Sequence, residues 1–293
     1  MKLNSLFRRR PSLNRMTGFQ LVLVVLMTLL AAFMLLPMVY LFSNALKPYH
    51  ELFLYPPTFL AKQPTLDNFY DLLVVTKSSV VPVTRYIFNG VFVSAIAIVL
   101  GTLISALCAY PLSKHRFRGK QWLFSVIIVS LMFAPETVQI PRYFVISKLG
   151  VINTYWAHIL PILALPVIVF LFKQFIDLLP DELLEAARME GANEVHIFIR
   201  IIVPLCMPAI ATATILIFQS VWGNLETSSL YVEDETLKTL PFYVQSLTSG
   251  LANNVARQGV AAAAALIMFI PSFVLFLAVQ RKVISTMAHS GLK

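Results

Sequence analysis

Residues 16–46 read MTGFQLVLVVLMTLLAAFMLLPMVYLFSNAL, a run of 31 residues without a charged side chain. A helix of about 20 apolar residues is long enough to cross a hydrocarbon layer of roughly 30 Å. The basic segment 8–15 ahead of the run and the small residues 43–45 resemble a secretory signal with its cleavage site. The apolar core of such a signal has only about 7 to 15 residues, so the run predicts a retained membrane-spanning helix.

The composition of the whole chain indicates the same environment. Of its 293 residues, 58% are hydrophobic and 13% are charged, whereas about 25% of residues are charged in soluble domains. So few charged side chains cannot cover a soluble domain, and the excess apolar area must face lipid. The net charge of +9 does not indicate nucleic-acid binding, because the basic residues flank apolar stretches and do not line one amphipathic face.

Five further windows predict additional spans. Four of them hold a helix of about 20 residues and lie at 86–113, 149–172, 201–225 and 258–280. The fifth, 121–135, reaches spanning length only if it continues through Glu136 and Arg142 to Lys148, which places ionisable groups at membrane depth.

The sequence therefore predicts an all-α membrane protein with six transmembrane helices, the third of them interrupted by Pro135 and Pro141. One transmembrane domain is expected over residues 1–293, with its core at 80–285. Basic residues concentrate on the cytoplasmic side of membrane proteins. Placing both termini in the cytoplasm puts fifteen of the 23 basic residues there: Lys2, Arg8, Arg9, Arg10, Arg15, Lys114, Arg116, Arg118, Lys120, Lys173, Arg188, Arg200, Arg281, Lys282 and Lys293.

The cytoplasmic loop 177–206 is predicted to contain two short helices. Pro180 suits a helix start because its missing N–H needs no partner there, and the acidic residues after it complement the helix dipole. Gly191 is placed to end that helix in a left-handed conformation, and Asn193 is placed to cap the next one. We call residues 181–195 the elbow. It is either a connecting loop with solvated charges or a contact surface offering the small residues Ala186 and Ala187.

The elbow resembles a motif of permease subunits of ABC-type importers. Glu185-Ala186-Ala187, three residues, Gly191, nine residues and then 201–204 (IIVP) match the pattern E-A-A-x3-G-x9-I-x-L-P. Val203 replaces the usual Leu, and Glu190 stands where Asp often precedes the glycine. Each change keeps the size class or the charge.

Further segments resemble the carbohydrate-uptake (maltose-type) branch of these permeases. They are 135–143 (PETVQIPRY), 149–156 (LGVINTYW), 239–242 (TLPF) and the last span with its basic tail, so the resemblance runs over roughly residues 80–293. The segment 222–224 (WGN) departs from the Trp-Asn-Asp that often follows span five, which leaves the identity of the solute open.

The resemblance implies a type I ABC importer permease fold in a bacterial cytoplasmic (inner) membrane. Its implied partners are a second permease in a heterodimer, two ATP-binding cassette subunits, an extracytoplasmic solute-binding protein and membrane lipid. ATP and Mg would bind the ATPase subunits, and no cofactor would bind this chain. The chain has no G-x-x-x-x-G-K-[ST] phosphate loop. Neither a catalytic centre nor a metal site is predicted, since Cys108 and Cys206 lack metal-ligand spacing.

The resemblance also assigns site residues. In this family the elbow is a coupling helix seated in a groove of the ATPase, which gives that role to Glu185, Ala186, Ala187, Gly191 and Pro204. The alternative is a glycine that shapes a loop and a glutamate that only solvates it.

Polar residues in the spans are candidates for a substrate pathway. Ionisable groups at membrane depth usually face a cavity or a partner, and helical spacing places Gln139 on one face with Glu136 and with Arg142. Alternatively, the prolines break the helix and these side chains only fix loop geometry. The remaining candidates, Asn89, Gln219 and Asn224 with Trp222, either line the pathway or serve as helix-to-helix hydrogen bonds and an interfacial anchor. His158 is expected to be structural.

A channel, an intramembrane enzyme and a different importer are the alternatives to a carbohydrate importer. A six-helix channel would not need the elbow motif, and an intramembrane enzyme would need clustered nucleophile, base or carboxylate groups within its spans. The closest alternative is an ABC importer of another branch, which carries for example a phosphorylated polyol or a peptide.

Overall fold

The structure is a computed structural model, and it describes residues 18–52, 54–75, 81–163, 165–248 and 258–290. Within these ranges the chain is helical and contains no strand. The α-helices are α1 (Gly18–Leu46), α2 (Tyr49–Leu52), α3 (Asp67–Val75), α4 (Val83–Lys114), α5 (Lys120–Ser130), α6 (Gln139–Lys148), α7 (Tyr155–Leu163), α8 (Pro166–Asp177), α9 (Asp181–Met189), α10 (Glu194–Ile197), α11 (Val203–Leu205), α12 (Met207–Trp222), α13 (Glu226–Leu230), α14 (Leu240–Thr248) and α15 (Gln258–Ser290).

Among the described helices, three are long and apolar enough to cross a bilayer unbroken. These are α1, α4 and the part of α15 at Gln258–Gln280. The 29 residues of α1 correspond to a length of about 43 Å at 1.5 Å per residue. Nearly all of α1 is exposed in the isolated chain, and only Ser43, Asn44 and Ala45 at its end are fully buried. The surface of α1 therefore faces lipid or another subunit.

The remaining predicted spans are bent pairs of helices. The axes of Lys120–Ser130 and Pro135–Lys148 differ by 109°, those of Tyr155–Leu163 and Pro166–Asp177 by 44°, and those of Glu194–Leu205 and Met207–Leu230 by 77°. Counting each pair as one span gives up to six. The number of spans and the cytoplasmic termini stay predictions, since residues 1–17 and 291–293 lie outside the described residues.

The predicted interruption of the third span is partly wrong. The chain leaves the helical path at Leu131 and re-forms a 3₁₀ turn from Pro135 to Val138. Pro141, however, lies within the first turn of α6 and does not break it, because the first N–H groups of a helix need no intrahelical partner. The windows 149–172 and 201–225 were predicted to be continuous helices, and this was also wrong, since breaks occur near residue 165 and at Cys206.

Helix α4 is the centre of the packed core, where α7, α8 and α12 surround it. Its buried positions include small residues such as Ser94, Ala97 and Ala109, which let neighbouring backbones approach closely. At Gly90 the ring of Trp222 comes so near that an added Cβ would lie 3.0 Å from the ring atom Cζ3. The two ends of α4 then hold the loops described below.

Candidate functional site

The elbow forms as the sequence predicts. Helix α9 begins after Pro180 with two acidic residues in its first turn. It ends at Met189, and two residues later Gly191 has a left-handed φ of 85°. There the N–H of Gly191 donates to the carbonyl of Arg188 and the N–H of Ala192 to that of Ala187, both at 3.0 Å, the paired bonds of a Schellman motif. Asn193 caps the next helix by accepting from the N–H of His196 at 2.7 Å.

The two faces of α9 differ in their surroundings. Leu184 and Ala187 are buried and belong to the core cluster that surrounds α4. The opposite face exposes Glu185, Ala186 and Met189, with Met189 84% exposed. Of the two alanines predicted to form a contact surface, only Ala186 therefore lies on the exposed face, and the contact of either with an ATPase stays a prediction. Adjacent residues of a helix point about 100° apart, so only one of the two alanines faces outward.

A buried lysine ties the start of α9 to the end of α4. The Nζ atom of Lys114 donates to Asp181 Oδ1 at 2.7 Å and to the carbonyl of Leu179 at 2.5 Å. The side chain of Lys114 is only 7% exposed, whereas that of Asp181 is 73% exposed. The hydrogen bond from Lys114 lowers the pKa of Asp181, so the carboxylate stays ionised.

Glu194 joins the far side of the elbow to the same end of α4. Its Oε2 atom accepts from the hydroxyl of Tyr110 at 2.6 Å and lies 3.5 Å from Nε2 of His115. Its Oε1 atom accepts from Nε of Arg188 at 3.0 Å. Sequence reasoning did not foresee that Tyr110 and Lys114 of α4 bond the elbow, or that Glu194 is the partner of Tyr110. Their partners are distant in the chain, and only the length of α4 hinted that its end reaches this loop.

Pro204 shapes the helix that leaves the elbow. Ahead of it the chain forms a π-turn, Phe198–Ile202, in which the N–H of Val203 donates to the carbonyl of Phe198. A proline provides no N–H and its ring clashes with the carbonyl four residues earlier, which favours such a widened turn. The side chain of Pro204 is exposed. In this structure Pro204 therefore acts by setting the direction of the helix.

The three polar residues predicted to share a face in the third span, Glu136, Gln139 and Arg142, lie in two different environments. Nη1 of Arg142 lies 3.2 Å from Glu226 Oε1, which also accepts from the hydroxyl of Tyr231 at 3.1 Å. Glu136 is exposed and Gln139 is half-buried. The 3₁₀ turn that contains Glu136 precedes α6 directly, so the segment is helical but sharply redirected. Arg142 is thus engaged within the chain, while Glu136 and Gln139 remain accessible.

Asn89 has no exposed surface and all of its side-chain groups are bonded. Its Nδ2 atom donates to the carbonyls of Thr236 and Lys238, both at 2.8 Å, and its Oδ1 atom accepts from the hydroxyl of Tyr155 at 2.8 Å. This geometry favours the alternative in which a polar span residue joins neighbouring elements of the chain.

The candidates near the end of α12 also divide. Gln219 is exposed. Asn224 accepts from the N–H of Thr227 at 3.0 Å, at the start of α13. Trp222 is buried at 4% exposure, and its Nε1 donates to the carbonyl of Met268 at 2.8 Å. Trp222 therefore packs inside the chain, and the prediction of an interfacial anchor is wrong.

His158 is structural in this conformation. Its Nε2 lies 3.1 Å from the carbonyl of Leu237 and its Nδ1 lies 2.7 Å from the hydroxyl of Thr227. A carbonyl can only accept, so Nε2 carries the proton and Nδ1 accepts from the hydroxyl. In the part of the chain that the structure describes, no three His, Cys, Asp or Glu side chains come together as a metal site.

Comparison with known proteins extends this description. A solved bacterial ABC transporter involved in the import of the acidic polysaccharide alginate has a chain with the same fold. The TM-score is 0.79 at 22% identity, over 90% of this chain and 95% of that one.

Sequence relatives cover most of the chain. The arabinooligosaccharides transport system permease AraQ of Halalkalibacterium halodurans is 31% identical over 229 residues, which is 78% of this chain and 80% of AraQ. The sulfoquinovosyl glycerol transport system permease SmoH of Agrobacterium fabrum is 29% identical over 261 residues, which is 88% of this chain and 89% of SmoH.

The family model of the binding-protein-dependent transport system inner membrane component matches residues 18–288. This match covers all of the spans and the elbow. The chain therefore belongs to the family of binding-protein-dependent transport system inner membrane components, the non-catalytic permease subunits of ABC transporters.

Proposed function

We propose that this chain is the permease of an ATP-driven importer for a sugar or oligosaccharide, acting as one membrane domain with six spans and both termini in the cytoplasm. Support for a carbohydrate comes from the relatives, whose names include arabinooligosaccharides and melibiose, raffinose and stachyose. The partners would be a second permease, two ATP-hydrolysing subunits that hold ATP and Mg, and a solute-binding protein. A structural neighbour solved in complex with an alginate pentasaccharide-bound periplasmic protein supports the last of these.

The elbow is the proposed coupling surface between this chain and an ATPase subunit. The observation that carries this proposal is the division of α9 into a buried face and an exposed face. Leu184 and Ala187 fix the helix to the core, while Glu185, Ala186 and Met189 are left for a partner. A movement of the partner against the exposed face would then be transmitted through the packed face to α4 and α8.

Charge reversal on the exposed face tests the coupling role. Glu185→Lys should release the ATPase subunit or uncouple it, because it reverses a charge at a partly desolvated contact. Pull-down of the ATPase and solute-stimulated ATP hydrolysis measure the two outcomes. Glu233→Lys, at an exposed position of a different loop, is the matched control and should leave both unchanged. Normal pull-down and hydrolysis in Glu185→Lys would contradict the coupling role.

The solute class is tested separately with the wild-type complex. Arabino-oligosaccharides, raffinose and alginate oligosaccharides are added together with the solute-binding protein, and ATP hydrolysis is measured. Stimulation by at least one carbohydrate is expected. Stimulation only by a peptide or a phosphorylated polyol would replace the sugar assignment while leaving the coupling role intact.

For the translocation path we propose Gln139, Glu136 and Gln219, whose side chains are accessible. Asn89, Arg142 and Asn224 would act on the path through the hydrogen bonds that hold its walls. Gln139→Ala should change uptake or solute preference while the complex still assembles. Unchanged uptake in Gln139→Ala, Glu136→Ala and Gln219→Ala would remove these residues from the path.

A further inference from the structure

The turn between α4 and α5 encloses a shallow cavity of about 480 Å³. Its lining consists of Arg116, Phe117, Gly119, Lys120, Gln121 and Trp122. The turn has a fixed shape, because Nζ of Lys120 donates to the carbonyls of Ser113 and His115 at 2.8 and 3.1 Å. Gly119, at a φ of 91°, supplies the left-handed residue that redirects the chain.

The cavity lies beside the end of α4 that contacts the elbow. Helix α4 is one of the helices apolar enough to span a bilayer, and its last residue, Lys114, contacts Asp181 of the elbow. Trp122 is 69% exposed and Phe117 is 41% exposed. Exposed aromatic side chains next to the end of a span are typical of the headgroup level of the bilayer.

The charge around the cavity is positive and incompletely compensated. Lys114 pairs with Asp181 and Lys173 pairs with Asp177. Asp181 and Asp177 lie within electrostatic range of Arg116 and Lys120, but no carboxylate among the described residues forms an ion pair with Arg116, Arg118 or Lys120. The N-terminus of α5 has no side-chain cap, so its dipole adds to the attraction for a negative group.

We propose that this cavity binds the headgroup of an anionic phospholipid from the leaflet on the side of the elbow. The phosphate would lie between the Arg116 guanidinium and the start of α5, and the acyl chains would pass the exposed ring of Trp122. A basic pocket at the end of a span, beside interfacial aromatic residues, has the chemistry of an anionic-lipid site. A lipid bound there would adjoin the link between α4 and the elbow.

The test uses the whole transporter in detergent, titrated with phosphatidylglycerol or with phosphatidylcholine and analysed by native mass spectrometry. Wild type should retain phosphatidylglycerol preferentially. Arg116→Gln should reduce that preference about fivefold, as expected for one cation near a lipid surface. Arg118→Gln is the control, because it removes the same charge two residues along the chain and the side chain of Arg118 does not line the cavity. It should change the lipid preference less than twofold. Trp122→Ala should weaken retention of both lipids.

A photoactivatable phosphatidylglycerol should crosslink to residues 116–122. Equal losses in the two arginine variants would show diffuse surface attraction and overturn the proposal. Crosslinks confined to other segments would overturn it as well. Competition by glycerol phosphate as strong as by the lipid would assign the cavity to a free phosphate compound and contradict the lipid.

Discussion

The two ends of helix α4 are held in different ways. At one end Asn89 is buried and neutral, and it bonds the carbonyls of Thr236 and Lys238 in the segment between α13 and α14. At the other end Lys114 and Tyr110 bond the carboxylates of Asp181 and Glu194. These two carboxylate side chains are 73% and 48% exposed. The first end therefore relies on the fully buried amide of Asn89, beside bonds from Arg85 and Tyr86 to the same segment. The other end relies on bonds to exposed carboxylates.

This difference separates a fixed attachment from an adjustable one. Breaking a buried hydrogen bond leaves an unsatisfied polar group, which costs about 1–3 kcal/mol. At the other end the carboxylates are exposed, so solvent screens part of their attraction to the buried side chain of Lys114. The segment 231–239 should therefore remain attached to α4, whereas the elbow depends mainly on the packing of Leu184 and Ala187. An element that transmits movement between subunits benefits from such a limited set of polar ties.

The largest effect is expected at the buried end. Asn89→Ala leaves the buried carbonyl of Lys238 and the hydroxyl of Tyr155 without their partner, while the carbonyl of Thr236 still accepts from Nε of Arg85 at 3.1 Å. The free energy of unfolding should therefore fall by about 2 kcal/mol or more. Labelling of the buried Cys206 thiol during heating measures the unfolding temperature. Asn224→Ala, which removes a single cap bond, is the control and should cost about 1 kcal/mol. Equal losses in the two variants would show that the buried amide of Asn89 contributes no more than a single cap bond.

The alanine pair of α9 should give the next largest effect. Ala187→Trp overfills a buried position and should destabilise the chain itself by about 1–3 kcal/mol. Ala186→Trp enlarges an exposed position and should leave the unfolding temperature unchanged while the ATPase subunit is lost. Heating curves and pull-downs of both variants test this division. A stable Ala187→Trp chain that lost only its partner would instead support the prediction that Ala187 is a contact residue.

A smaller effect is expected at the end of α9. Gly191→Val must place a branched residue at a φ of 85°, which costs an ordinary residue about 1–2 kcal/mol. Gly191→Asn should be milder, because Asn adopts this conformation more readily. Since nothing lies near the Cβ position, the cost comes from the backbone alone. Transport assays should rank the wild type above the Asn variant and the Asn variant above the Val variant.

The smallest effect concerns the ion pair of Lys114 and Asp181. Because Lys114 lowers the pKa of Asp181, the pair stabilises the fold above the ordinary aspartate pKa of about 3.9. This contribution is lost as the pH falls through the lowered pKa of the folded state. The difference in unfolding temperature between wild type and Asp181→Asn should therefore be small near neutral pH and vanish in acid. A difference that grew on acidification would contradict the pairing.

Local sequence predicted the elbow well because its determinants act over a few residues. Pro180, Gly191 and Asn193 each satisfy or release backbone groups within one turn of their own position. The breaks in the spans were predicted less well. Hydropathy reports how apolar a window is and not its direction, so the bends near residue 165 and at Cys206 were missed. Pro141 was wrongly predicted to break the helix, because the effect of a proline depends on its position within the helix.

The sequence by itself determined that the chain is a membrane protein, because so large a share of apolar residues must face lipid. It also determined the caps of the elbow. Only the tertiary structure decided which face of α9 is buried and which polar residues are engaged. Asn89 forms a hydrogen bond with Lys238, which is 149 positions away in the sequence, and Tyr110 forms one with Glu194, which is 84 positions away. Such pairs form only after the helices pack, because side chains this far apart in sequence are brought together by the path of the whole chain.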